Sequence, residues 1–301
     1  EDMAAGVKTR VKINITVAIT GSGIGSAPNN PSTVSKDLAL YGPGDIIGIE
    51  SRLFVKTDPH NWITNFEPNY LPYIEFSDGD FPWRYTPAAP KLDSHRLRPW
   101  IMLVVLKEDE FTDGKNIAGK RLPFITVVDS QNKFPDAGQL WAWAHVHINK
   151  DIVQSDSQTK TTNTASILPR VDELISQTPD LAYSRIVCPR RLEENTAYHA
   201  FLIPVYESGR LAGLGLDPDA SPVEVHATFS AWSMYANKPS ATDFPYYHRW
   251  YFRTGTIGDF EYLVRLLQPK PVDSRVGRRD MDVQKPMVNF SGIGDPQFGC
   301  I

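Results

Sequence analysis

The chain has 301 residues, 41% of them hydrophobic and 22% charged, with a formal net charge of −4 at pH 7. That length buries a stable core without covalent staples. Both signs of charge are interspersed, so no Lys/Arg stripe is available to neutralise a run of phosphates, and no apolar run approaches the ~20 residues of a membrane-spanning helix. The two cysteines, Cys188 and Cys300, lie far apart without metal-ligand spacing, which predicts folding in a reducing bacterial or cytosolic setting. No secretory leader pattern is visible over residues 1–25, and the ends, Glu1-Asp2-Met3 and Gly299-Cys300-Ile301, read as those of a fragment of a longer polypeptide.

Val7 to Thr20 alternates, placing Val11, Ile13, Ile15, Val17 and Ile19 on one face, and predicts a half-buried strand. Gly21 to Ser26 is glycine-rich, but Ala27-Pro28-Asn29-Asn30-Pro31 cannot open the helix that a phosphate cradle needs, so a surface loop is expected. Val34 to Tyr41 suggests a short turn of helix and Ile46 to Val55 a strand. Asp58-Pro59-His60-Asn61-Trp62 reads as a turn rather than a ligand cluster. Tyr70 to Leu106 looks like framework: Ile101 to Leu106 is an unbroken apolar run expected to be buried on both faces, with Leu71 to Phe76 as its pairing partner. Between them, Phe81 to Pro87 is restricted by proline and packs its rings from a loop. Leu122 to Val128 is a further strand. Trp141-Ala142-Trp143-Ala144-His145-Val146-His147 alternates large with small, as if both tryptophans and both histidines shared one strand face. Asp151 to Ser166 is polar and aperiodic, and Pro169 to Ile175 opens a short helix. Tyr198 to Val205, Val223 to Tyr235 and Tyr246 to Phe252 are expected strands. Asp259, as N-cap, begins a helix that reaches Leu267, and Pro269 to Ile301 reads as an extended arm. The predicted organisation is a β-rich half (1–150), a polar linker or long loop (151–168), a second β-rich half with short helices (169–268) and the arm (269–301), the two halves being also readable as one domain.

Few constellations point to chemistry. His145 and His147 have a spacing at which two imidazoles share a metal, but no third ligand recurs nearby, and His199, His226 and His248 fall on separate strands. Packing is the expected role, with no metal and no cofactor. No Gly-x-Ser-x-Gly elbow is present, and neither cysteine has a nearby histidine. Asp78/Asp80, Glu108/Glu110 and Glu193/Glu194 are paired carboxylates at turns or strand ends, where solvated turns are expected. The most distinctive set is Trp83, Arg84, Tyr85, Arg96, Arg98 and Trp100 with Tyr246, Tyr247, Arg249, Trp250 and Arg253. Such a set suits a glycan groove or a protein interface, and an internal stacking ladder is its expected role.

The blocks Asp80 to Pro87 and Leu97 to Trp100, then Trp141 to Val146, resemble a bacterial family associated with gene clusters of extracellular, phage-tail-like contractile injection systems. Three more blocks extend the resemblance: Cys188 to Leu192 through Tyr198 with Arg210 to Gly215, Tyr247 to Trp250 through Gly258 to Glu261, and Arg279 to Val283. The resemblance implies a baseplate or cage accessory component, assembled in the bacterial cytoplasm and carried on a released particle, with no catalytic residues to transfer. The expected fold is β-dominated α+β, antiparallel sheets in a sandwich or barrel with a few short helices. The expected partners are baseplate, sheath or tail-fibre proteins and copies of the chain itself, with neither nucleic acid nor membrane insertion. A carbohydrate-binding or carbohydrate-active module using the aromatic–arginine face is the alternative.

Overall fold

The computed structural model describes residues 12–19, 32–91, 96–115, 122–149, 164–218, 227–232, 243–258, 260–277, 280–282 and 298–300. The chain divides into two compact units, Glu1–Ile257 and Gly258–Ile301.

The first unit is β-dominated and mainly antiparallel. Strands β1 (Lys12–Ile19) and β2 (Ser32–Ala39) form a hairpin; β3 (Phe54–Asp58), β4 (Ile63–Phe66), β5 (Tyr73–Phe76), β6 (Ile101–Lys107), β7 (Thr112–Asp113), β8 (Phe124–Thr126) and β9 (Ala144–Ile148) follow. After the four-residue helix α1 (Ser130–Lys133), which precedes β9, come α2 (Thr164–Gln177), β10 (Ala182–Val187), β11 (Ala197–Pro204), α3 (Glu207–Gly213), β12 (Asp243–Pro245) and β13 (His248–Thr254). Two four-stranded sheets carry the core, ordered β3-β5-β10-β9 and β4-β13-β11-β6, with a smaller β12-β8-β7 sheet beside them. Every pairing in these sheets is antiparallel except β13 with β4. Among the described residues no sheet closes into a barrel. Ile74, Phe76 and Ile186 of the first sheet share one buried cluster with β6, Ala200 to Ile203, Trp250 and Phe252 of the second. Phe54 of β3 packs against His248 of β13, ring centroids 4.6 Å apart. Strands from both sides of the polar 151–168 stretch are thus interleaved in each large sheet.

Ile101 to Leu106 is buried along its whole length, as its composition demands. Its neighbour is β11, with Phe201 opposite Val104, and not Leu71 to Phe76, whose strand β5 lies between β3 and β10 in the other sheet. β6 is therefore an edge strand, and an unpaired edge needs cover. Arg190 provides it: Nη1 donates to the Val105 carbonyl at 2.9 Å while the Glu110 carboxylate holds the same guanidinium at 2.5 and 2.9 Å. Glu110 Oε2 also accepts from the Lys107 N–H at 2.8 Å.

Other expectations are corrected. Val34 to Tyr41 is no helix but lies largely in β2, paired residue by residue with β1, where Val17 faces Val34 and Ile13 faces Leu38. Ile46 to Val55 contains a 3-10 turn, Ser51–Leu53, and becomes strand only at Phe54. Leu122 to Val128 narrows to β8. Trp141 and Trp143 sit on a 3-10 helix, Ala137–Trp143, held at its start by Asp136 accepting from the Gly138 N–H; only His145 and His147 reach the strand. The helix expected at Pro169 starts earlier, at Thr164, and contains that proline. Of Val223 to Tyr235, residues 227–232 are described and contribute an isolated bridge from Ser230 to Tyr206. The Gly21 to Ser26 loop, most of the 151–166 stretch, His226, the Asp259 cap, Arg278 and Arg279 lie outside the described residues.

The second unit contains the expected helix, α4 (Phe260–Leu266), and a short antiparallel pair, β14 (Asp280–Asp282) with β15 (Phe298–Cys300). No described helix is long and apolar enough to cross a membrane.

Candidate functional site

The aromatic–arginine set folds mostly inward. Trp100 is fully buried at the centre of a ring cluster, with Phe81 at 5.7 Å, Tyr85 at 5.1 Å and Tyr247 at 5.5 Å, all edge-on. Its indole N–H donates to the Phe81 carbonyl at 2.8 Å, which satisfies the polar tip that burial would otherwise penalise. Trp83 donates in the same way to the Leu97 carbonyl at 3.0 Å. The Tyr247 hydroxyl, enclosed and donating to the Ile46 carbonyl at 3.1 Å, has its pKa raised by burial. Trp250 is buried and Tyr246 packs on Phe201 at 5.4 Å. The arginines tie elements together: Arg98 donates to the Thr228 carbonyl at 2.8 Å and Arg96 lies 4.0 Å over the Trp141 ring. The proline-restricted loop thereby delivers its rings to the core, as the sequence predicts.

Most of the paired carboxylates hold ion pairs, while Asp80, Glu108 and Glu193 stay largely exposed, as solvated turns would. Arg84 clamps both Asp78 (2.7 Å) and Asp80 (2.6 Å), and the Arg84 hydrogen bond holds the Asp80 carboxyl below its ordinary range. Glu110 is taken by Arg190 and Glu193 by Lys107, while Glu108 lies 3.8 Å from His199. Arg84 with Asp78, Asp80 and Trp83 borders an apolar cleft of about 470 Å³ closed by Leu97, Val146 and Ile175. A second cleft, about 330 Å³, is lined by Cys188, Arg190, Glu110 and Lys133. The Cys188 thiol there is buried and pushed up to about 11 by that burial, far from the thiolate a nucleophile needs.

His145 and His147 share a face of β9 with ring centroids 6.2 Å apart, but their surroundings are a stacking array. His147 lies flat on Tyr183 at 5.1 Å, its pKa lowered by burial and by Arg185. Arg185 covers the Tyr73 ring at 4.2 Å and holds Glu75 at 2.5 Å, and Lys56 donates to the Tyr73 hydroxyl at 2.6 Å. His199 and His248 lie on the other large sheet, so the strand histidines are not brought together. Among the described residues no three His, Cys, Asp or Glu side chains form a metal-holding group.

Two features escaped sequence reasoning. The apolar face of β1–β2 is bare: Ile13, Ile15, Val17, Ile19, Val34 and Leu38 are all exposed, Val17 and Val34 at 54% each. On the second large sheet, Trp62 is 71% exposed against the ring of Tyr251. Alternation found the first strand, but nothing local says whether an apolar face is covered by its own chain.

Comparisons with protein-family models, with curated proteins and with solved structures find no match. The molecule is a β-dominated α+β protein, and its surface is read on its own chemistry.

Proposed function

We propose that this chain is a non-enzymatic building block of a phage-tail-like contractile injection particle, placed at or around the baseplate and working through contacts with neighbouring particle proteins and copies of itself. The observation that carries the reading is the β1–β2 hairpin, whose Ile13, Ile15, Val17 and Ile19, with Val34 and Leu38 across the ladder, face water. A two-stranded ribbon with an exposed apolar face and, among the described residues, no further strand on either edge is marginal in water and gains stability by packing onto a partner. Helix α4 repeats the theme in the second unit, with Leu263 and Leu266 more than half exposed. The block resemblance supplies the identity of the assembly. The groups that catalysis would recruit hold structural positions instead: Cys188 in the core, Glu110 and Asp80 in ion pairs, Trp100 and Trp250 inside. A glycan face made from those two tryptophans is disfavoured for the same reason.

The test is purification of particles from a strain carrying the chain and from its deletion. The chain should co-purify with sheath and tube, and its loss should leave both assembled while removing density near the baseplate end and altering attachment or firing. Unchanged particles from which the chain is always absent would overturn the proposal.

A further inference from the structure

Trp62 adopts φ 67°, the left-handed region in which a bulky side chain is an outlier. Strand β13 pins it there: the Trp62 N–H donates to the Tyr251 carbonyl at 2.7 Å, and the Tyr251 N–H donates to Asn61 Oδ1 at 2.9 Å. The strained backbone does not bury the indole; it presents it to water, leaning on Tyr251 at 4.7 Å. A backbone held in a strained conformation while most of its large ring stays in water is the kind that marks a site of contact with something else.

From Trp62 the ring contacts run inward along the outer face of the sheet, with Tyr251 half-buried and the His199 side chain 15% exposed. Tyr251 meets His199 at 5.0 Å, and His199 meets Phe111 at 5.4 Å. Arg249 donates Nε–H to His199 Nδ1 at 3.3 Å and Nη1–H to Asp113 at 2.5 Å, so Nε2 is the protonated nitrogen of the neutral imidazole, 3.8 Å from Glu108. Burial and the Arg249 charge both lower the His199 pKa and keep the ring neutral at pH 7. Arg253, two residues from Tyr251 and so on the same face, is exposed and donates to the Asn195 carbonyl at 2.8 Å. Arg249 is ion-paired with Asp113, and Arg253 and Glu108 add one formal charge of each sign, so these four groups bordering the rings sum to zero.

From this juxtaposition we propose that Trp62, Tyr251 and His199, bordered by Glu108, Arg249 and Arg253, form a binding strip for a neutral glycan. The C–H faces of sugar rings lie on the indole and phenol, and sugar hydroxyls, which both donate and accept, bond to carboxylate and guanidinium alike. A charged polymer finds no unbalanced partner here, and an anchoring protein segment would meet no charge to steer it. The assignment stands apart from the proposed particle role and survives or fails without it.

The test uses the full chain with cello-, malto-, laminari-, manno- and chitohexaose as neutral probes and a heparin hexasaccharide as the anionic one, read by saturation-transfer NMR and titration. At least one neutral hexasaccharide should receive saturation at its ring C–H protons. Trp62→Ala and Tyr251→Ala should weaken it tenfold or more, and Tyr41→Ala, at an exposed ring elsewhere, should leave it unchanged. Trp62→Gly removes the ring while suiting the left-handed backbone, so it should keep or raise the melting temperature and still abolish binding. The proposal is overturned if no neutral probe binds, if only the heparin fragment does, if Trp62→Gly binds like the parent, or if Trp62→Gly unfolds the chain and so reveals a structural ring. Silence of all glycans with Trp62 shielded in purified particles would assign the strip to a protein contact instead.

Discussion

Glu207 and Arg210, three residues apart on α3, form a two-pronged ion pair closed to water: Nε to Oε2 and Nη2 to Oε1 are both 2.8 Å, with the side chains only 2% and 10% exposed. Arg210 also donates to the Asp243 carbonyl at 3.2 Å and so ties α3 to β12. Removing one partner strands the other charge in the interior, a penalty of about 3–5 kcal/mol. Arg210→Met should therefore lower the denaturation midpoint strongly, and Glu207→Gln added to Arg210→Met should recover a large part of the loss. Equal midpoints for the single and double variants would show that the pair is not the source of the effect.

Gly213, at the end of the same helix, has no room for a side chain. A Cβ there would lie 2.6 Å from Pro245 Cγ, 2.7 Å from Pro245 Cβ and 3.1 Å from Leu122 Cδ1. Overpacking against a proline ring costs about 1–3 kcal/mol, so Gly213→Ala should destabilise by that order in urea unfolding. Gly48→Ala, with nothing within 4 Å of its added methyl, serves as the neutral comparison.

The sequence revealed strands where burial leaves a compositional trace and failed where partnership decides. Ile101 to Leu106 is legible because a strand covered on both faces must be apolar throughout. Its neighbour is not legible, since β11 lies about a hundred residues away and nothing in Leu71 to Phe76 says that it belongs to another sheet. Val34, Leu38 and Tyr41 fit a helical repeat as well as Val34, Lys36 and Leu38 fit a strand; pairing with β1 chooses between them. The Arg190–Glu110 edge cover joins residues 80 apart. Trp62 was visible only as the last residue of an Asp-Pro turn, and its exposure belongs to the tertiary structure.

Acid should act in two separate windows. Burial lowers the pKa of His248, which packs on Phe54 at 4.6 Å and Trp250 at 5.6 Å, below the ordinary 6.5. His147 and His199 shift the same way. The unfolded chain then binds more protons than the folded one, so stability is greatest above pH ~6.5 and falls as pH drops below it. Asp80, lowered by Arg84, and Glu110, where Arg190 and the Lys107 N–H outweigh burial, begin to lose their contribution only as pH falls towards 4.5 and below. Melting temperatures across about pH 3–8 should decline in two steps on the acid side, and His248→Phe should flatten the part of the slope between 7 and 5. An unchanged slope in that variant would remove His248 from the account.

Val17 and Val34 face each other across the hairpin, each 54% exposed, and contribute nothing to the buried core. Charging them should therefore separate folding from assembly. Val17→Lys alone, or Val34→Glu with Val17→Lys as a cross-strand pair, should leave the melting temperature of the core within a degree or two, because surface substitutions away from packed features change stability by about 0.5 kcal/mol or less. The same changes should reduce concentration-dependent association in sedimentation velocity and the recovery of the chain with purified particles, since a charge in an apolar contact must be desolvated to reform it. Val17→Ile, which enlarges the apolar face, should act oppositely. A large loss of core stability on charging would mean that the hairpin is covered by its own chain, and unchanged association would remove the apolar face from the contact.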